Sequence, residues 1–286
     1  MKLKEWLQKG EAGLRGGAHP ERARPDAQLL LLYLLGKDKA WLVAHAYEAL
    51  PAAANSRYEE LLERRRRGEP IQYITGETEF YGLSLRVTPD VLIPRPETEH
   101  LVEKALEEAV RFHAPRILDV GVGSGAIAVA LACKLPQAAI TAIDLSSPAL
   151  AIARQNAQRN GVAGRIRFLH GDLLAPVQEE QFEMVVSNPP YVPVGDRASL
   201  AVEVREYEPA QALFAGPSPD SDGLDVCRRL IPAAFAALLP GGFLAIEIGS
   251  GQSPAIHTLL TDSGFEGIEF IPDLQKIPRV ACARRP

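Results

Sequence analysis

The segment Arg116-Ile117-Leu118-Asp119-Val120 runs directly into Gly121-Val122-Gly123-Ser124-Gly125 and then into a helical pattern over Ala126–Lys134. A short β-branched and apolar run, a glycine turn and a helix start make a strand–turn–helix unit, the building block of an open α/β sheet. Glycines let the backbone come close to a ligand, and the exposed N–H groups of a helix N-terminus favour carboxylates or ribose oxygens. The spacing is Gly-x-Gly-x-Gly, and the dinucleotide pattern Gly-x-Gly-x-x-Gly/Ala is also met through Ala126, so spacing alone leaves NAD open. The next strand, 139–143, ends in Asp144, where an acid can accept from both hydroxyls of a ribose. Turn and acid together point to a nucleoside cofactor.

Order along the chain narrows the choice. A strand over 166–169 leads to Gly171-Asp172, and a fourth strand, Phe182–Ser187, ends in Asn188-Pro189-Pro190-Tyr191. In an open α/β sheet ligands bind outside the carboxyl ends of the strands, so the glycine turn, Asp144 and Asn188 converge on one crevice. A helix over 223–239, a strand over 243–248 and a helix over 253–263 follow, then two runs, 268–271 and 280–283. The link 272–279 is too short for a crossover helix, so these two runs should pair antiparallel. The result is a seven-stranded sheet with its last strand reversed.

The tetrapeptide carries chemistry of its own, although a Pro-Pro pair is also an ordinary way to close a buried strand. An amide or exocyclic amino nitrogen is a poor nucleophile because its lone pair is delocalised. Two acceptors localise it: the Asn188 side-chain oxygen takes one N–H and the Pro189 carbonyl the other. Pro189 and Pro190 restrict φ and so hold that carbonyl in one direction. Tyr191 offers an aromatic face on which a flat group can lie.

The remaining sequence sets limits. Residues 1–75 contain only helical patterns, at Leu3–Leu14, 26–35, 39–46 and 55–67, and nothing there looks catalytic; residues 79–87 alternate around Gly82 as a hairpin would. Cys133, Cys227 and Cys282 are isolated and the six histidines lack ligand spacing, so neither disulfides nor a metal are expected. No leader or bilayer-spanning run is visible, which suggests a cytoplasmic protein with no membrane partner. A net charge of −5 is the wrong sign for tracking a phosphate backbone, so no direct nucleic-acid binding is expected. The exception is Arg64-Arg65-Arg66-Arg67, favoured as a solvated helix end over a contact to an acidic patch or RNA.

Four segments together, 91–99 (Val-Leu-Ile-Pro-Arg-Pro-Glu-Thr-Glu), 119–125, 187–191 and 208–213 (Glu-Pro-Ala-Gln-Ala-Leu), closely resemble the release-factor glutamine methyltransferases, the HemK/PrmC family, over essentially the whole chain. The resemblance implies an α/β, Rossmann-like class I S-adenosylmethionine-dependent methyltransferase domain over 96–286, a β-hairpin linker over 76–95 and an N-terminal helical bundle over 1–75 that engages the substrate. It implies methyl transfer from S-adenosylmethionine, leaving S-adenosylhomocysteine, to the glutamine of the Gly-Gly-Gln loop of class 1 peptide-chain release factors by a monomer without metal. Carried over by position, Gly121, Val122, Gly123, Ser124, Gly125, Asp144, Asp172, Leu173 and Asn188 are cofactor residues. Asn188, Pro189, Pro190 and Tyr191 grip the substrate, with Asn188, Pro189 and Tyr191 catalytic. Leu173 reads as an apolar wall for adenine, and Asp172 as a loop cap or an acceptor from the adenine amino group. Segment 94–99 either closes over the methionine end of the cofactor or starts a helix capped by Glu97 or Thr98. Glu208, Pro209 and Gly223 shape a peptide cleft, with Glu208 equally readable as a surface carboxylate. The alternatives are an amino methyltransferase of adenine or cytosine, in which a flipped base stacks on Tyr191, and a non-catalytic protein that holds the cofactor or the release factor.

Overall fold

In the computed structural model, which describes residues 1–49, 51–218 and 221–286, the chain forms two units. One is Met1–Glu77 with Leu200–Tyr207; the other is Thr78–Ser199 with Glu208–Pro286. The first contains α1 (Leu3–Leu14), α2 (Ala23–Leu35), α3 (Lys39–Ala44), α4 (Ala52–Arg66) and α5 (Ile71–Thr75). Leu3, Trp6, Gly10 and Leu14 recur every three or four residues, which puts them on one face of α1. The apolar members of that face pack with Leu30, Leu31, Tyr58 and Leu61, or with Ala23 and Ala27. Helix α2 stops at Gly36, whose φ of 62° breaks the helical run, and α3 starts after Asp38, whose carboxylate accepts from the Trp41 N–H at 2.7 Å.

The basic run closes α4 with Arg66 and Arg67 exposed, as a solvated helix end would, but Arg65 turns inward. Arg65 is 3% exposed, its Nε donates to Asp26 at 2.7 Å, and its Nη1 donates to Glu203 at 3.0 Å. A buried guanidinium persists only where carboxylates and carbonyls meet its fixed fork of donors, and Asp26, itself 1% exposed, supplies one of them. Arg64 pairs with Glu69, while Arg66 and Arg67 share Glu63. The helix Val202–Tyr207 that brings Glu203 belongs to this unit although it lies far along the chain.

In the second unit, β1 (Glu77–Phe80) and β2 (Leu83–Arg86) form the expected hairpin. Phe80 and Leu85 share a core with Leu101 and Ile117, so the hairpin packs into this unit rather than serving as a loose link. Then come α6 (Thr98–Ala109), β3 (Arg116–Val120), α7 (Ala126–Lys134), β4 (Ala139–Asp144), α8 (Ser147–Arg159), β5 (Ile166–His170) and β6 (Phe182–Ser187). After α9 (Asp225–Ala237) come β7 (Leu238–Glu247), α10 (Ser253–Asp262), β8 (Glu266–Pro272) and β9 (Pro278–Arg284). The seven strands lie in the order β5-β4-β3-β6-β7-β9-β8, with β9 antiparallel to both neighbours.

Alternation within the strands assigns the two faces. Ile117, Met184 and Val186 pack toward α6 and α7, whereas Leu118, Val120 and Val185 pack toward α9 and α10. Each such side chain contributes about 1.5–3 kcal/mol by burial, while an unpaired buried carboxylate costs several kcal/mol. The carboxylates Asp119 and Glu247, 0% and 2% exposed inside these strands, therefore require specific partners. The chain leaves β3 toward β4 on one side and returns to β6 on the other, which opens a crevice at the carboxyl ends of β3 and β6.

Candidate active site

A cavity of about 320 Å³ occupies that crevice, within the usual range for small-molecule sites. Gly121, Val122, Gly123, Ser124, Asp144, Asp172, Leu173, Asn188 and Pro190 all line it. Loops after β3, β4, β5 and β6 thus meet as chain order suggested.

The glycine loop is held by two carboxylates. Asp119 Oδ2 accepts from the Ala128 N–H at 3.1 Å, satisfying an amide in the first turn of α7. Asp144 Oδ2 accepts from the Gly123 N–H and Oδ1 from the Ser146 N–H, both at 2.8 Å. Each Asp144 oxygen retains a lone pair for a further donor. Burial raises the pKa of Asp144, against the opposing pull of the Ser146 and Gly123 N–H groups. For Asp119 burial pushes the carboxyl up to about 7, with the Ala128 N–H opposing and the Asp144 charge adding to the rise. At Gly123 φ is +53°, and an added Cβ would meet no protein atom within 4 Å, so the loop presents bare backbone to the cavity. A carboxylate with lone pairs to spare, an open backbone turn and the apolar residues Leu145, Leu173 and Phe214 on the wall form a set suited to an adenosyl cofactor.

Three expected residues sit elsewhere. Gly125 does not line the cavity: it is the N-cap of α7, and a Cβ there would lie 3.2 Å from Ala153, so helix packing needs it small. Pro189 is buried and does not line the cavity. Tyr191 is not an open platform. Its hydroxyl donates to Glu247 Oε1 at 3.2 Å, its ring abuts Gly249, and burial followed by the nearby Glu247 charge raises its pKa. Asp172 lines the cavity, but its carboxylate pairs with Arg229 instead of capping its loop.

The tetrapeptide is positioned by groups distant in sequence. Asn188 Nδ2 donates to Thr98 Oγ1 at 3.2 Å, and Thr98 donates to Glu247 Oε2 at 2.5 Å. Thr98 is the first residue of α6, and the preceding Glu97 makes no side-chain cap, so the expected cap is replaced by this contact. Among the described residues no donor reaches Asn188 Oδ1 or the Pro189 carbonyl. Gln252 Nε2 donates to the Tyr191 carbonyl at 3.1 Å, and Gly223, at φ +79°, leaves room for that carbonyl. Glu208 is not a surface carboxylate: it is 6% exposed and accepts from Arg95 Nη2 at 2.6 Å. Thr98, Glu247 and Gln252 escaped the sequence reading as site residues. A lone acid closing the apolar run 243–248 was the available signal for Glu247.

Residues 5–76 match the PrmC N-terminal domain family and residues 97–207 the Methyltransferase small domain family. The chain is 42% identical over 264 residues to a release factor glutamine methyltransferase of Koribacter versatilis (strain Ellin345), covering 92% of this chain and 91% of that one. It is 41% identical over 285 residues to the protein of the same name from Deinococcus radiodurans, covering 100% and 99%. Among solved structures, the T. thermophilus 16S rRNA N2 G1207 methyltransferase, in complex with AdoMet and guanosine, matches with a TM-score of 0.54 at 20% identity. That match covers 73% of this chain and 50% of the other and reports the shared fold.

Proposed function

The chain belongs to the release factor glutamine methyltransferases, and from that premise we propose how its own residues serve a methyl transfer to the glutamine of the Gly-Gly-Gln loop in class 1 release factors. When bound, S-adenosylmethionine supplies a methyl group already activated on a sulfonium. Asp144 accepts from the ribose hydroxyls, the backbone at Gly121 and Gly123 receives the methionine end, and Leu173 walls the adenine. Asn188 Oδ1 accepts one N–H of the glutamine side chain and the Pro189 carbonyl, which takes no donor among the described residues although the proline itself is buried, accepts the other, which turns the nitrogen lone pair toward the methyl. Because both acceptors are fixed before the substrate arrives, little reorganisation accompanies the reaction. The surplus proton leaves the methylated nitrogen to water.

The observation that carries this reading is the commitment of Asn188. Asn188 lines the cavity, its Nδ2 donates to Thr98, and its Oδ1 has no partner among the described residues. All four arginines of the run 64–67 are engaged by carboxylates, which supports a protein substrate over a nucleic acid. The helical unit is the proposed docking element for the release factor, with Val43 and Tyr47, 73% and 68% exposed, as its apolar contacts. Such a partner places the protein in the cytoplasm.

The test combines the protein with labelled S-adenosylmethionine and purified release factor, or with RNA and DNA, followed by peptide mass spectrometry. One methyl on the Gly-Gly-Gln glutamine is expected; label confined to nucleic acid would overturn the assignment. Val43→Asp with Tyr47→Ala should raise KM for the release factor severalfold at unchanged kcat, and an unchanged KM would remove the docking role from this surface.

A further inference from the structure

Four side chains form a series that is buried at its centre and half-buried at its ends: Asn188 Nδ2 to Thr98 Oγ1, Thr98 Oγ1 to Glu247 Oε2, and Tyr191 Oη to Glu247 Oε1. Thr98 and Glu247 are 3% and 2% exposed, so water does not satisfy them. Donor and acceptor counting then fixes the direction of every bond. An ionised carboxylate only accepts, so the single protons of Thr98 and Tyr191 must both point at Glu247. Thr98, its proton spent, can only accept from Asn188. That contact selects the NH2 edge of the asparagine and turns Oδ1 to the cavity. Reversing the first bond would reverse the rest: a protonated Glu247 can donate to Thr98, Thr98 can donate to Asn188 Oδ1, and the NH2 edge would then face the cavity. A donor edge cannot hold a substrate NH2.

We propose that the Glu247 carboxylate, acting through Thr98, sets which edge of the Asn188 amide faces the substrate, so that Glu247 and Thr98 are positioning residues for the methyl transfer. The inference rests on the reading of Asn188 as an acceptor from the glutamine amide. It extends that reading by making the acceptor conditional on a charge that never touches the substrate. The groups acting on Glu247 come from three elements. Thr98 and Glu97 lie at the start of α6, Tyr191 in the loop after β6, and Arg279 on β9. Burial raises the carboxyl above its usual range, the Thr98 and Tyr191 hydroxyls oppose the rise, Glu97 adds to it and Arg279 opposes it. The competent form is the ionised one. Activity should therefore be full above the Glu247 pKa and decline as pH falls through it.

The test measures kcat against pH at saturating release factor and S-adenosylmethionine for the full-length wild type, Thr98→Val, Thr98→Ser and Glu247→Gln. It also follows the Glu247 carboxyl by 13C NMR in the protein alone. Thr98→Val keeps the shape of the side chain and cuts the series. It should lower kcat about 10- to 100-fold, in the range of removing a preorganised polar contact, abolish the acid limb, and leave S-adenosylmethionine affinity within about threefold as measured by calorimetry. Thr98→Ser restores the hydroxyl and should recover kcat and the limb together, which a packing role for the methyl group would not do. Glu247→Gln, neutral at every pH, should lose the limb. In the NMR titration Thr98→Val should move the Glu247 midpoint upward, since a donor to the anion is gone. Wild-type kcat in Thr98→Val, or an acid limb that survives in Glu247→Gln, would overturn the proposal. A wild type that methylates no glutamine would instead defeat the functional reading, while an unmoved midpoint would still refute the Thr98–Glu247 link.

Discussion

Gly223→Ala tests whether the tetrapeptide is held by its surroundings. The native φ is +79°, and an alanine Cβ would lie 2.2 Å from the Tyr191 carbonyl oxygen and 2.8 Å from Gln252 Nε2. Left-handed backbone costs a non-glycine residue roughly 1–2 kcal/mol. The Tyr191 carbonyl must retreat by about 1 Å to reach ordinary contact, which breaks its 3.1 Å bond from Gln252, a further loss of about 1 kcal/mol. Destabilisation of about 2–3 kcal/mol follows, or roughly 4–12 °C in Tm for a domain of this size. The shift also enters the segment that carries Asn188, where a displacement of about 1 Å costs on the order of 100-fold in kcat. Gly123→Ala is the control, because its φ is likewise positive but no protein atom lies within 4 Å of the new methyl. It should lose only the conformational cost in stability and weaken S-adenosylmethionine binding by intruding on the cavity. Differential scanning fluorimetry and steady-state kinetics on both variants decide the matter. A Gly223→Ala protein with the Tm and kcat of the wild type would refute the reasoning.

Asp144→Ala should weaken S-adenosylmethionine binding by about 1.5–3 kcal/mol, the range for hydrogen bonds to a charged group; an unchanged calorimetric Kd would move the ribose site elsewhere. Asn188→Ala should lower kcat by roughly 100- to 1,000-fold at saturating substrates, and near-normal turnover with intact cofactor binding would reduce the tetrapeptide to a strand-ending turn. Asp119, pushed up to about 7 by burial, takes up a proton in the folded chain before the unfolded chain does. Its contribution to stability is therefore greatest below about pH 4 and is lost as pH rises to about 7, by at most about 4 kcal/mol. Asp119→Asn should flatten that part of the profile; identical changes in Tm between pH 5 and pH 8 for wild type and variant would contradict this origin.

Local pattern reached a long way into this structure, and its limits are physical. The bounds of β3, α7 and β6 coincide with their sequence reading because period, glycine turn and proline stop are all written within a few residues. The crevice was legible too, since strand order follows from which loops precede which strands. Partners distant in sequence were not. Thr98 and Glu247 are 149 residues apart, and nothing local says that a threonine at a helix start will leave its capping role for a strand-end acid. Arg65 looked like its three neighbours, yet it alone turns inward, because Asp26 and Glu203 reach it from elsewhere in the chain. Tyr191 reads as an exposed ring only while Glu247 is unknown.

Glu203 gives the chain a schedule as well as a contact. Arg65 and Asp26 leave the ribosome early, but the third member of their cluster is encoded after β6, so the N-terminal helices are finished long before one of their own carboxylates has been synthesised. At ordinary translation rates the gap lasts roughly ten seconds or more. Through that interval Arg65 has Asp26 but lacks Glu203. A chain stalled or cleaved before residue 203 therefore carries the helices of residues 1–77 without the segment that completes their unit and without one carboxylate of its buried charge cluster.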